Sequence, residues 1–188
     1  EMLEALSYAH RRVDPTTGAY SPVAFGSPGA SVGDPFGITL SPAGSGSPLH
    51  VMDFQGASAQ SPRLYAIAGD GSVGAPLLDA QWTVNQVPSH LERGQGADFP
   101  GMYVADRYTG NPKIWRVDAG AVTPLVSNRI GSPPNVSRPV SIRFASGGAF
   151  GSDLYFLDVG LKEIRTVDKY GTVTTFATGL EGSTDFSD

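Results

Sequence analysis

A four-part pattern returns along this chain about every fifty residues, and that period limits the possible folds more than any single residue does. Gly101-Met102-Tyr103-Val104-Ala105-Asp106 is answered by Asp153-Leu154-Tyr155-Phe156-Leu157-Asp158. Ile114-Trp115-Arg116-Val117-Asp118 returns 50 positions later as Ile164-Arg165-Thr166-Val167-Asp168, and Gly120-Ala121-Val122-Thr123 returns 51 positions later as Gly171-Thr172-Val173-Thr174. Earlier copies read Leu49-His50-Val51-Met52-Asp53, Leu64-Tyr65-Ala66-Ile67 and Gly71-Ser72-Val73. A leading part precedes each copy: Pro35-Phe36-Gly37-Ile38, Pro88-Ser89-His90-Leu91 and Pro139-Val140-Ser141-Ile142. Pieces of the pattern also stand at Arg12-Val13-Asp14 with Gly18-Ala19-Tyr20, and at Ser183-Thr184-Asp185-Phe186.

Each part is short and rich in Val, Ile, Tyr, Phe and Thr, several with apolar residues at every second place, which is the habit of a half-buried strand. The Asp-x-x-Gly and Asp-x-Gly links before the last part suit hairpin turns. With 24 Gly and 15 Pro in 188 residues, turns are plentiful and long helices are not expected. Four short antiparallel strands make a sheet whose two faces cannot both be buried by one copy. Stacked copies bury them on each other. The expected fold is therefore all-β, a β-propeller of four-stranded antiparallel blades. Whole blades are placed at 33–80, 83–128 and 136–180, a part-blade at 1–30 and the start of another at 181–188. A helical solenoid would need apolar residues at helical spacing, which are missing. A β-sandwich with chance similarity is the rival, and aligned offsets at four strand positions argue against it.

The blades resemble those of the six-bladed propellers that include NHL repeats and gluconolactonase-like proteins, chiefly over Gly101 to Leu125 and Ser152 to Leu180. Gly179-Leu180-Glu181-Gly182-Ser183-Thr184-Asp185 is similar to the lead into a further blade. Gly101 to Gly110 with Ile114-Trp115, and Pro139 to Asp158, also resemble segments of glucose/sorbosone dehydrogenase-like propellers. These motifs identify architecture better than activity. The gluconolactonase resemblance implies a divalent metal held by carboxylates and amides in the channel, and the dehydrogenase resemblance a quinone with a histidine base. No complete ligand set can be assigned, and His90 is the only histidine placed on the channel.

Open end blades would expose large apolar faces, so a partial or split propeller is expected. Three arrangements satisfy the count: a segment of a six- to eight-bladed protein, a ring completed by another chain or a second copy, or a closed four-bladed ring. The net charge is −5 with no basic run, which speaks against nucleic-acid binding and a membrane-surface patch. No apolar run is long enough for a membrane-spanning helix. With no cysteine, disulfides, thiolate zinc sites and cysteine nucleophiles are excluded.

First strands of blades line the channel. His90 and Glu92 share one direction of theirs, and Arg143 sits at the matching place of the next copy. Together they are catalytic candidates, since a histidine beside a carboxylate suits acid–base work. The plainer reading is that a wet channel tolerates polar side chains. Asp53, Asp106 and Asp158 end the second part of each copy. As a ring they would be metal candidates, calcium above all. Because they recur in every copy, capping of turn amides is the favoured role, and the same holds for Asp14, Asp118 and Asp168. The long loop carrying Arg107, Tyr108, Asn111 and Lys113 breaks the repeat and suits contact with protein or carbohydrate, as does Phe54 to Arg63. Trp82 is off the pattern and suits core packing. The sequon Asn135-Val136-Ser137 makes Asn135 a glycosylation candidate in a secreted eukaryotic setting. Without a His-Glu-x-x-His, Gly-x-Ser-x-Gly or phosphate-loop motif, the favoured function is a non-catalytic extracellular or periplasmic interaction module in a larger protein or assembly. The alternatives are a propeller enzyme acting on a sugar or lactone, and a structural subunit whose open blades stack on neighbours.

Overall fold

Pro35, Pro88 and Pro139 open three successive sheets, and each pairs in register with an aspartate: Asp53, Asp106 and Asp158 in turn. Proline has no N–H to give to a ladder, so the first position of a strand suits it. In all three sheets the register slips just after the proline. The computed structural model describes residues 11–13, 16–17, 19–22, 35–40, 49–53, 63–68, 73–74, 76, 87–108, 110–118, 120–127, 136–145 and 147–180.

Strands β1 (Arg11–Val13) and β2 (Tyr20–Pro22) form a hairpin. The first sheet holds β3 (Pro35–Leu40), β4 (Leu49–Asp53) and β5 (Arg63–Ile67), with an isolated bridge from Ile67 to Val73 standing where a fourth strand is expected. The second holds β6 (Pro88–Arg93), β7 (Met102–Asp106), β8 (Lys113–Asp118) and β9 (Ala121–Ser127). The third holds β10 (Pro139–Phe144), β11 (Leu154–Asp158), β12 (Glu163–Val167) and β13 (Val173–Ala177). All these pairings are antiparallel, and strand order follows chain order. Among the described residues the only helical turn is the 3-10 turn Gly148–Phe150. The all-β blade architecture expected from the repeat is the architecture observed.

The inner strands β3, β6 and β10 lie beside one another, and the sheets fan outward from them. Contact there is close: a Cβ on Gly37 would sit 3.3 Å from Leu91 Cβ. Ser89 Oγ donates to the Pro139 carbonyl at 2.8 Å, tying β6 to the head of β10. Met52 and Leu64 of the first sheet pack on Leu91, Val104 and Trp115 of the second. Tyr103, Ala105 and Ile114 of the second pack on Ile142, Phe144 and Phe156 of the third. Phe99, Tyr103 and Phe144 meet edge to face, with ring centroids 4.9 to 5.8 Å apart. Burial records which faces are covered. Every residue of β7 is buried, because its sheet has a neighbour on each side, whereas β11 alternates buried and half-buried because one of its faces has no neighbouring sheet among the described residues.

Candidate functional site

The slip after Pro88 and Pro139 aligns His90 with Ser141 and Glu92 with Arg143 on neighbouring inner strands: His90 faces Ala105 as Ser141 faces Leu157, and Glu92 faces Tyr103 as Arg143 faces Tyr155. Leu91 and Ile142, on the opposite side of their strands, anchor in the apolar interfaces. That anchoring turns the polar set the other way. Ser141 Oγ lies 3.4 Å from His90 Nδ1, Glu92 Oε2 lies 3.8 Å from His90 Nε2, and Arg143 Nη1 donates to Glu92 Oε2 at 2.5 Å. The three catalytic candidates therefore do come together, with Ser141 as a fourth member. Glu92 is nearly buried and already engaged by Arg143, whose own side chain is largely exposed. The first sheet contributes only Gly37 and Thr39 at the matching positions.

The three aspartates do not converge. Each is buried at the end of its own second strand. Asp158 accepts from the amides of Ser137, Arg138 and Gly160 at 2.7, 2.8 and 3.1 Å. Asp106 accepts from the amides of Val87 and Tyr108 at 2.9 and 3.1 Å and from Trp115 Nε1 at 3.1 Å. Asp106 and Asp158 thus each clasp the chain leading into their own inner strand to the loop that follows their second strand. Burial pushes the Asp106 pKa above the ordinary carboxylate value, against the pull of its three hydrogen bonds. Among the described residues no three His, Asp or Glu side chains gather in a group able to hold a metal ion. Two of the carboxylates read as a cation ring, Asp106 and Asp158, are thus engaged by backbone amides and an indole, and the metal implied by the lactonase resemblance finds no fitting set among the described residues. Asp168 caps its hairpin, accepting from the Tyr170 and Thr172 amides at 2.8 Å each.

The Arg107–Lys113 loop hangs from the Asp106 clasp. The Arg107 amide donates to the Val87 carbonyl at 2.9 Å, and the Asn111 amide to the Tyr108 carbonyl at 3.1 Å. The Tyr108 ring lies against Gly110, Lys113 Nζ stands 4.4 Å from the Trp115 ring centroid, and Asn111 is exposed. Arg107 and Tyr108 are half-buried. Sequence reasoning missed Trp115 as a donor to Asp106, though an indole nine residues from a buried carboxylate was a usable signal. It also missed Ser89 as the tie between inner strands. His50 is buried, and desolvation lowers its pKa, which fits an ordinary packed histidine. Asn135, Trp82, His10, Asp14, Asp185 and residues 54–62 lie outside the described residues.

No family model and no curated protein matches the chain. Among solved structures it is similar to virginiamycin B lyase from Staphylococcus aureus, with a TM-score of 0.59 and 18% identity over 88% of this chain and 47% of that one. The chain spans about half the length of that solved structure. A likeness at this identity shows the fold alone, and the fold is that of a β-propeller.

Proposed function

We propose that this chain is a non-catalytic binding module that presents the Arg107–Lys113 loop, beside the polar strip of the inner strands, to a carbohydrate or protein partner, in an extracellular or periplasmic setting and as part of a larger protein or assembly. The observation behind this reading is the Asp106 clasp. It holds the amide of Tyr108 and the indole of Trp115 on one buried carboxylate, so the two sides of the loop are anchored before a partner arrives. A preformed loop binds without the cost of ordering it. The inner strip supports the same reading, because Glu92 is committed to Arg143 and is not left open as a base. A screen of the chain against oligosaccharides and peptides tests it. Tyr108→Ala with Asn111→Ala should weaken the bound partner by about tenfold or more, which corresponds to ~1.4 kcal/mol. Binding that ignores both substitutions would refute it.

A second reading, a propeller enzyme acting on a sugar or lactone, is favoured by one arrangement: His90 stands between Ser141 and Glu92. The fold neighbour's name as a lyase and the blade-level resemblance to lactonase-like proteins run in the same direction. Turnover of a lactone panel that vanishes in His90→Gln would support this reading. No turnover by the wild type would remove it.

A further inference from the structure

The antiparallel pairings bring a set of cations to one end of the sheets, the end where each leading proline meets its aspartate. Arg63 pairs in register with Asp53 at the head of β5, and Lys113 with Asp106 at the head of β8. Arg107 follows Asp106, and its amide donates to the Val87 carbonyl. The Arg138 amide donates to Asp158, and Lys162 precedes Glu163, the register partner of Asp158. Every one of the sheets led by a proline therefore carries a cation at this end. The acids here are turned inward. Asp53, Asp106 and Asp158 are buried, and the latter two accept backbone amides. Glu163 is largely covered, faces Arg165 Nε at 3.4 Å and accepts from Thr175 Oγ1 at 3.2 Å. The cations, by contrast, are half-buried or, at Lys162, exposed. At the opposite end the acids reach the surface. The Asp98 side chain is 56% exposed and pairs with Lys169, Asp118 pairs with Arg116, and Asp168 caps its exposed hairpin. A chain of net charge −5 thus has, among the described residues, one rim whose outward charges are positive.

We propose that this rim binds an anionic polysaccharide, a linear chain of carboxylate-bearing sugars. The inference rests on the reading that this end takes a partner, and it narrows that partner to one chemical class. Tyr108 and Asn111 stand in the loop between Arg107 and Lys113, so an aromatic ring and an amide accompany the cations. That mixture suits a uronate. The ring takes the apolar side of the sugar, guanidinium groups take the carboxylate through paired hydrogen bonds, and the amide takes a hydroxyl. Recurrence favours a polymer. A single exposed ion pair is weak, but a repeating anion that meets a cation on successive sheets adds such pairs along one chain. The closely spaced phosphates of a nucleic acid would call for a denser basic surface than this rim offers.

The test is titration calorimetry with an oligogalacturonate and with its methyl ester, which has the same length and no charge. The charged form should bind in about 50 mM salt and weaken by about tenfold or more in about 500 mM, while the ester should not bind. Lys113→Gln with Arg138→Gln should weaken binding by about tenfold, and Lys169→Gln at the opposite end should leave it unchanged. Far-UV circular dichroism matching the wild type shows that the double variant is folded. An oligogalacturonate that does not bind, acid and ester that bind alike, full affinity in the double variant, or a DNA strand bound in preference would each overturn the proposal. Its failure is distinct from that of the loop reading. A neutral sugar or a peptide whose binding is lost with Tyr108→Ala and Asn111→Ala would keep that reading and sink this one. Oligogalacturonate binding that needs the two cations and ignores the loop substitutions would do the reverse.

Discussion

Asp106 and Asp168 both accept backbone amides, yet their acidities move in opposite directions. Asp106 is buried, and desolvation outweighs its donors, raising its pKa. Asp168 is at the surface, and the Thr172 amide foremost holds its pKa below the usual value. The stability linkage follows from the sign. Asp106 binds its proton more tightly folded than unfolded, so its contribution improves as pH falls through the raised folded pKa and worsens as pH climbs. Asp168 contributes above the ordinary carboxylate range and loses that contribution as pH falls through its lowered pKa. Urea titrations from about pH 7 to about pH 4 should therefore show the wild type gaining on Asp106→Asn. From about pH 5 to about pH 2 the wild type should lose ground against Asp168→Asn. Tyr103 offers another single-residue test. Burial pushes its hydroxyl up to about 12, and the hydroxyl has no hydrogen-bond partner among the described residues. Tyr103→Phe keeps the ring and removes the unsatisfied group, and it should stabilise the chain by about 1 kcal/mol in the same titration.

At the scale of strands and turns, the repeat made most of the architecture legible, because each short apolar run was echoed by others whose offsets agreed. The turn glycines show why. Gly101 and Gly120 flank β7 and β9 at φ +81° and +79°, a region that a side chain rarely adopts. A Cβ on Gly120 would meet open space, whereas one on Gly101 would strike the Val117 carbonyl oxygen. Gly120→Ala should cost about 1 kcal/mol for the backbone alone. Gly101→Ala should cost at least about 2 kcal/mol, and thermal melts of the two should separate accordingly. Strand alternation was likewise enough to place His90 and Glu92 on one side of β6, and the repeat placed Arg143 beside them. The pose of the Arg107–Lys113 loop could not be read so. It depends on a carboxylate that also serves Val87, nineteen positions before it. In the first sheet Val73, the described residue of Gly71-Ser72-Val73, bridges to Ile67 where the pattern places the last strand.

At the scale of the molecule, cohesion lies between sheets rather than within any one of them. Phe144 is the plainest probe, because it leaves its own sheet to seal the Phe99–Tyr103 pair of the previous one. Phe144→Ala should cost about 3–5 kcal/mol, and amide exchange should then quicken on both facing sheets together. The alignment of the inner strands has a mechanical side as well. Each sheet is stitched to the next near the axis, by β3 on β6 and β6 on β10. Stretched by its two tails, such a molecule would give way one leaf at a time, each rupture releasing a similar length of slack, so that load reaches a given leaf only after its outer neighbour has torn free.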